Sequence, residues 1–144
     1  MLIGNCLCGA VAFTLSAAPR YFYRCHCSLC RRQTGTGYNC ATAVPETAFA
    51  WTAGQARISS WLKPSGYRND FCKQCGSTVP NVLRGSPYVW VPLGLLEPQA
   101  EAMQCVGDYC VGDAQQWDTL RSEHTFDSHP ESLAALLAAL RVDG

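Results

Sequence analysis

The stretch CHCSLCRRQTG, Cys25 to Gly35, puts three cysteines within six residues and follows them with two arginines and a glycine. Three thiols are one short of a closed zinc cage and one more than a disulfide needs. A C-x-C in an extended strand carries alternate side chains to one side, so Cys25 and Cys27 reach one ion together. The following C-x-x-C turns the chain into a short helix that Gly35 stops, and Cys30 completes a tripod. Three protein ligands leave one position of a tetrahedral zinc open, the arrangement of a catalytic site. Spacing also allows a closed site, completed by Cys40, Cys105, Cys110 or His124. His26 lies between two ligands and points to the opposite face, which makes it a candidate proton shuttle.

Outward from the tripod lie two further cysteine pairs. CKQCG supplies Cys72 and Cys75, and CLCG supplies Cys6 and Cys8. A C-x-x-C followed by glycine is a zinc-knuckle pattern, in which Gly76 takes the left-handed turn position at low steric cost. Structural zinc wants four ligands, so the C-x-C-G pair is expected to supply the other two. Cys72 and Cys75 could also be a redox dithiol, although no βαβ pattern surrounds them. Cys40, Cys105 and Cys110 lack paired spacing and are not expected at this first site. Cys40 is expected to be a buried small hydrophobe.

The rest of the chain reads as mainly β. Of 144 residues, ten are cysteine, and Lys plus Arg equal Asp plus Glu at 11 each. That length suits one domain, 1–144, with its own core. The charge balance shows no basic stripe, so neither nucleic acid nor an anionic membrane is expected as partner. No segment has the apolar length of a membrane span, and the N-terminus lacks a signal-peptide pattern, so a cytoplasmic protein is expected. In such a reducing setting, cysteine density points to metal or catalysis more than to disulfides. Strand-like runs at 10–15, 21–26, 38–44, 56–62, 66–72, 78–83, 87–93 and, more weakly, 103–111 alternate with turn residues, which predicts short antiparallel strands. A C-terminal helix is expected over about 129–141. Ser128 and Glu131 have capping-box spacing, Pro130 falls in the first turn, and Leu133, Leu136, Leu137 and Leu140 share one face.

GNCLCGAVAF, RCHCSLCRRQTG and FCKQCGS, in this order and spacing, resemble the glutathione-dependent formaldehyde-activating enzyme family. That family shares its domain with an animal centromere protein. The resemblance runs from about Gly4 to Trp117. It implies a zinc-stabilised β-tent with two zinc sites: a structural one at Cys6, Cys8, Cys72 and Cys75, and a catalytic one at Cys25, Cys27 and Cys30. The second, with one ligand fewer, is expected to hold its ion less fully. The implied activity is that of a carbon–sulfur lyase or synthase on a thiol–aldehyde adduct such as S-hydroxymethylglutathione, with a small thiol such as glutathione as partner. Arg31 and Arg32 suit the carboxylates of glutathione, and Gln33, Thr34 and Gly35 are candidates for the pocket mouth. The sequence departs from the family in two ways. It is shorter than the named enzyme, and Thr34 stands where many members carry serine. A zinc-stabilised protein-binding module and a thiol- or metal-reactive sensor are the competing readings.

Overall fold

The computed structural model describes residues 1–144. The chain is mainly β, with ten strands and two α-helices. The strands are β1 Leu2–Asn5, β2 Ala12–Leu15, β3 Tyr21–Cys25, β4 Asn39–Pro45, β5 Phe49–Ala53, β6 Ile58–Leu62, β7 Arg68–Cys72, β8 Asn81–Val82, β9 Tyr88–Pro92 and β10 Gln104–Tyr109. The helices are α1 Ser28–Thr34 and α2 Leu133–Ala139. Neither is long and apolar enough to cross a membrane. The chain forms two compact units, Met1–Ala18 with Val44–Ala100, and Pro19–Ala43 with Glu101–Gly144.

The first unit holds an antiparallel sheet in the order β1-β2-β5 and two antiparallel hairpins, β6–β7 and β8–β9. Its core follows from strict alternation in β2, where Phe13 and Leu15 point inward and are fully buried. Val44, Val89 and Val91 close over them, with Phe49 stacked on Phe13 at 5.2 Å and Trp51 edge-on at 6.1 Å. Each such buried side chain contributes about 1.5–3 kcal/mol. Two strands escaped the sequence reading. β1 has only four residues before the C-x-C turn, too few to show a period. β5 does alternate, carrying Phe49 and Trp51 inward, but it follows directly on a single helical turn at Glu46–Ala48.

In the second unit, β3 pairs antiparallel with β4 and parallel with β10. The β3–β10 pair is the parallel exception in a mainly antiparallel set of strands. Residues 26–103 separate the two strands, so no tight turn dictates their relative direction. Helix α2 is shorter than expected and starts later. Its cap is Ser132, whose hydroxyl accepts the Ala135 N–H at 3.0 Å. The expected cap, Ser128, is engaged elsewhere, since its carbonyl accepts the Cys110 N–H at 3.1 Å. Of the leucine face, Leu140 is buried, Leu136 and Leu137 are half-buried and Leu133 is exposed.

Candidate functional site

Cys6, Cys8, Cys72 and Cys75 come together in the first unit, with all four sulfurs within 4.8 Å of one another. Cys72 ends β7, and the chain then turns on Gly76 at φ 81°, whose N–H donates to the Cys72 carbonyl at 2.7 Å. The Val11 N–H donates to Cys6 Sγ at 3.3 Å, and the Leu7 N–H donates to Ser77 Oγ at 2.9 Å, which ties one cysteine turn to the other. Cys8 Sγ lies 3.7 Å from Cys6 Sγ and 3.8 Å from Cys72 Sγ. A tetrahedral zinc with bonds of about 2.3 Å sets its sulfurs about 3.8 Å apart, so this quartet fits such an ion. Hydrogen bonds from the Ser77 side chain and backbone hold the Cys75 thiol down to about 5, towards the thiolate a metal needs.

Cys25, Cys27 and Cys30 come together in the second unit, again within 4.8 Å of one another, and are only 7%, 5% and 6% exposed. Local structure explains the cluster. Cys25 ends β3, Cys27 is the extended N-cap of α1, and Cys30 lies in the first helical turn, its N–H donating to Cys27 Sγ at 3.3 Å. Hydrogen bonds from Cys25 and Cys30 lower the Cys27 thiol, while hydrogen bonding to Cys27 and Cys30 raises that of Cys25. Three thiols this close cannot all ionise unless a cation shares their charge.

His26 is placed otherwise than a shuttle requires. It is fully buried, with Nδ1 2.5 Å from Asp118 Oδ2 and Nε2 2.7 Å from Asp108 Oδ1. Neither ring nitrogen is left to meet a substrate. Asp108 also accepts from Arg24 Nε at 2.7 Å, from Arg24 Nη2 at 3.2 Å and from the Ser122 N–H at 2.6 Å. Burial pushes the Asp108 carboxyl up, but the bonds from Arg24, His26 and Ser122 outweigh it and hold the group well below the usual range. The residue between Cys25 and Cys27 is thus an anchor: its ring pins the Cys25–Cys27 turn to a buried ion network. The sequence reading missed this network because Asp108 and Asp118 carry no motif.

Arg31 follows Cys30 on α1, and its Nε is buried without a hydrogen-bond partner. Arg32 is exposed and reaches only the Ser28 carbonyl, at 3.5 Å. Gln33 Oε1 accepts from Asn39 Nδ2 at 3.2 Å, and Thr34 Oγ1 donates to the Cys30 carbonyl at 3.1 Å. Gly35 caps the helix at φ 68°. Cys40 is half-buried, and burial raises its thiol to about 11. Cys105 Sγ lies 3.5 Å from the Gly107 carbonyl and belongs to neither cysteine cluster. Cys110 and His129 do lie beside the tripod: Cys110 Sγ is 3.8 Å from Cys25 Sγ, and the donor atoms of Cys25, Cys110 and His129 lie within 4.8 Å of one another. Sequence reasoning weighed His124 and passed over His129, although the chain has only three histidines to test.

Residues 1–111 match the family described as glutathione-dependent formaldehyde-activating enzyme. A protein of Halomonas elongata, provisionally named as a glutathione-dependent formaldehyde-activating enzyme, is 37% identical over 87 residues, covering 55% of this chain and 54% of that protein. The chain therefore spans about half the length of the curated relative it matches. A crystal structure of a Rhodobacter sphaeroides protein shares the fold at a TM-score of 0.56 and 22% identity, covering 71% of this chain and 98% of that one. The family match holds both cysteine clusters and Cys110, while Asp118, His129 and α2 lie beyond it.

Proposed function

This chain belongs to the glutathione-dependent formaldehyde-activating enzyme family, and on that premise we propose that its tripod binds a small thiol such as glutathione and makes or breaks the carbon–sulfur bond to an aldehyde carbon. The observation that carries this reading is the set of three buried sulfurs within 4.8 Å of one another, one fewer than the quartet. Zinc suits both sites, because sulfur-only donors at this spacing match its tetrahedral preference. An ion held by Cys25, Cys27 and Cys30 would supply an open position for a substrate thiol and favour its deprotonated form. In the synthetic direction the thiol sulfur bonds to the aldehyde carbon, the carbonyl π pair moves to oxygen, and that oxygen ends with the proton the thiol lost. The reverse is a carbon–sulfur lyase reaction.

The protein's part is to position. Cys27 fixes the start of α1 through its cap, so the sulfur cluster and the helix move as one. Arg31 offers a buried donor without a partner, which suits a carboxylate on the thiol substrate. His26 positions the Cys25–Cys27 turn and exchanges no proton with substrate. The test compares wild-type protein, loaded with zinc, with Cys27→Ala, following S-hydroxymethylglutathione formation by exchange NMR. Wild type is expected to accelerate exchange over the uncatalysed rate, and Cys27→Ala to lose that acceleration with the quartet metal retained. A metal-loaded wild type that gives no acceleration, and whose tripod metal spectrum ignores glutathione, removes the reading.

A further inference from the structure

Cys110 takes no part in the quartet or in the reaction proposed above, yet it is held in an uncommon way. It is one of two non-glycine residues with positive φ, at 57°. That state costs a residue with a side chain about 1–2 kcal/mol, and it persists where the surroundings over-determine it. Here the surroundings are a backbone ladder. The Asp108 N–H donates to the His124 carbonyl at 2.9 Å, Phe126 to Asp108 at 2.8 Å, Val111 to Phe126 at 3.0 Å and Cys110 to Ser128 at 3.1 Å. The ladder leaves Cys110 Sγ 3.8 Å from Cys25 Sγ and delivers His129, the residue after Ser128, to the same place. The donor atoms of Cys25, Cys110 and His129 all lie within 4.8 Å of one another.

We propose that Cys25, Cys110 and His129 hold a second metal ion beside the tripod ion, with the Cys25 thiolate shared between the two. The inference rests on the reading of the tripod as a metal site with an open position. Two sulfurs and an imidazole suit zinc or another divalent cation of similar softness. The Cys25–Cys110 sulfur separation equals the tetrahedral edge of about 3.8 Å that the quartet also shows. The two donor sets meet at Cys25 and have no other member in common. One tetrahedral ion takes only four of the five donors, so a one-ion site leaves a donor over.

Charge points the same way. A dication on three thiolates leaves one net negative charge among buried sulfurs, which is costly. A second dication, with the Cys110 thiolate and a neutral imidazole, brings the cluster to zero. His129 is exposed, so an ion can reach this position from solvent.

The test counts zinc per chain in the loaded protein by elemental analysis and repeats the measurement by cadmium NMR. Three ions are expected in the wild type, with two of the three cadmium signals split by coupling through the shared thiolate. His129→Gln and Cys110→Ala should each lower the count to two and collapse the splitting, with the quartet signal unmoved. His129 is exposed, so its variant serves where Cys110→Ala does not fold. A wild-type count of two overturns the inference. If neither substitution then moves the tripod signal and glutathione still shifts it, the open-site reading stands alone. If instead the count falls from two to one in His129→Gln, His129 closes the tripod, and the open-site reading falls as well.

Discussion

The quartet and the tripod are built from the same side chain at nearly the same sulfur spacing, but they are supported differently. Cys6 and Cys72 are buried against Val11 and Val79, with Trp51, Ile58 and Leu95 around them. The tripod's turn rests instead on His26, clamped between Asp108 and Asp118, with Arg24 paired to Asp108. In the quartet two local pairs from distant parts of the chain converge, at a sulfur spacing that a cation could hold. The tripod's three thiols are local in sequence and are positioned by a strand end, a helix cap and an ion network. On the proposed reading, the scaffold-held tripod can leave a coordination position for a ligand, while an ion in the quartet would hold its scaffold together.

The sharpest way to break this comparison is Cys72→Ser. Structural zinc carries on the order of 10 kcal/mol of folding free energy in small domains, so the variant is expected to lose cooperative thermal unfolding by circular dichroism. If it melts like wild type with one ion fewer, the quartet is not the cornerstone of its unit and the contrast collapses.

Asp108→Asn tests the other half. It leaves the buried Arg24 without its charge partner, a change that costs about 3–5 kcal/mol, read as a lower denaturation midpoint with the quartet metal still bound. The pH dependence has a definite sign. The Asp108 carboxyl is lower in the folded chain than in the unfolded one. Its contribution is therefore complete above about pH 4, and it is lost as pH falls towards the depressed folded value. The variant should lack that component of acid destabilisation. An unchanged midpoint and acid limb would show that the network does not hold the tripod in place.

The smallest effect is Gly35→Ala at the end of α1. A Cβ there meets nothing within 4 Å, but φ is 68°, so the cost is conformational and about 1 kcal/mol. Stability should drop slightly while tripod metal binding is kept. A larger loss, or a change in tripod metal affinity, would mean that the helix end helps set the sulfur geometry.

Much of this was legible from residue spacing. C-x-C, C-x-x-C and a following glycine are local devices, and the backbone of a strand end or tight turn leaves few places for their sulfurs to go. That is why the quartet's two pairs and the tripod could be read from the sequence, and why β2, β3, β7 and β9 could be read as short strand-like runs between turn residues. The remainder depends on contacts between residues far apart in the chain, which no local pattern encodes. Asp108 is an ordinary acid until β10 pairs with β3, and Asp118 until the chain beyond β10 returns to meet His26. Ser128 has the spacing of a helix cap until its carbonyl is taken by Cys110, and that same bond brings His129 to the tripod. Sequence alone determined which cysteines cluster in positions that could hold a metal. Tertiary structure decided which further groups stand beside them, because long-range backbone pairing, and not residue type, sets that proximity.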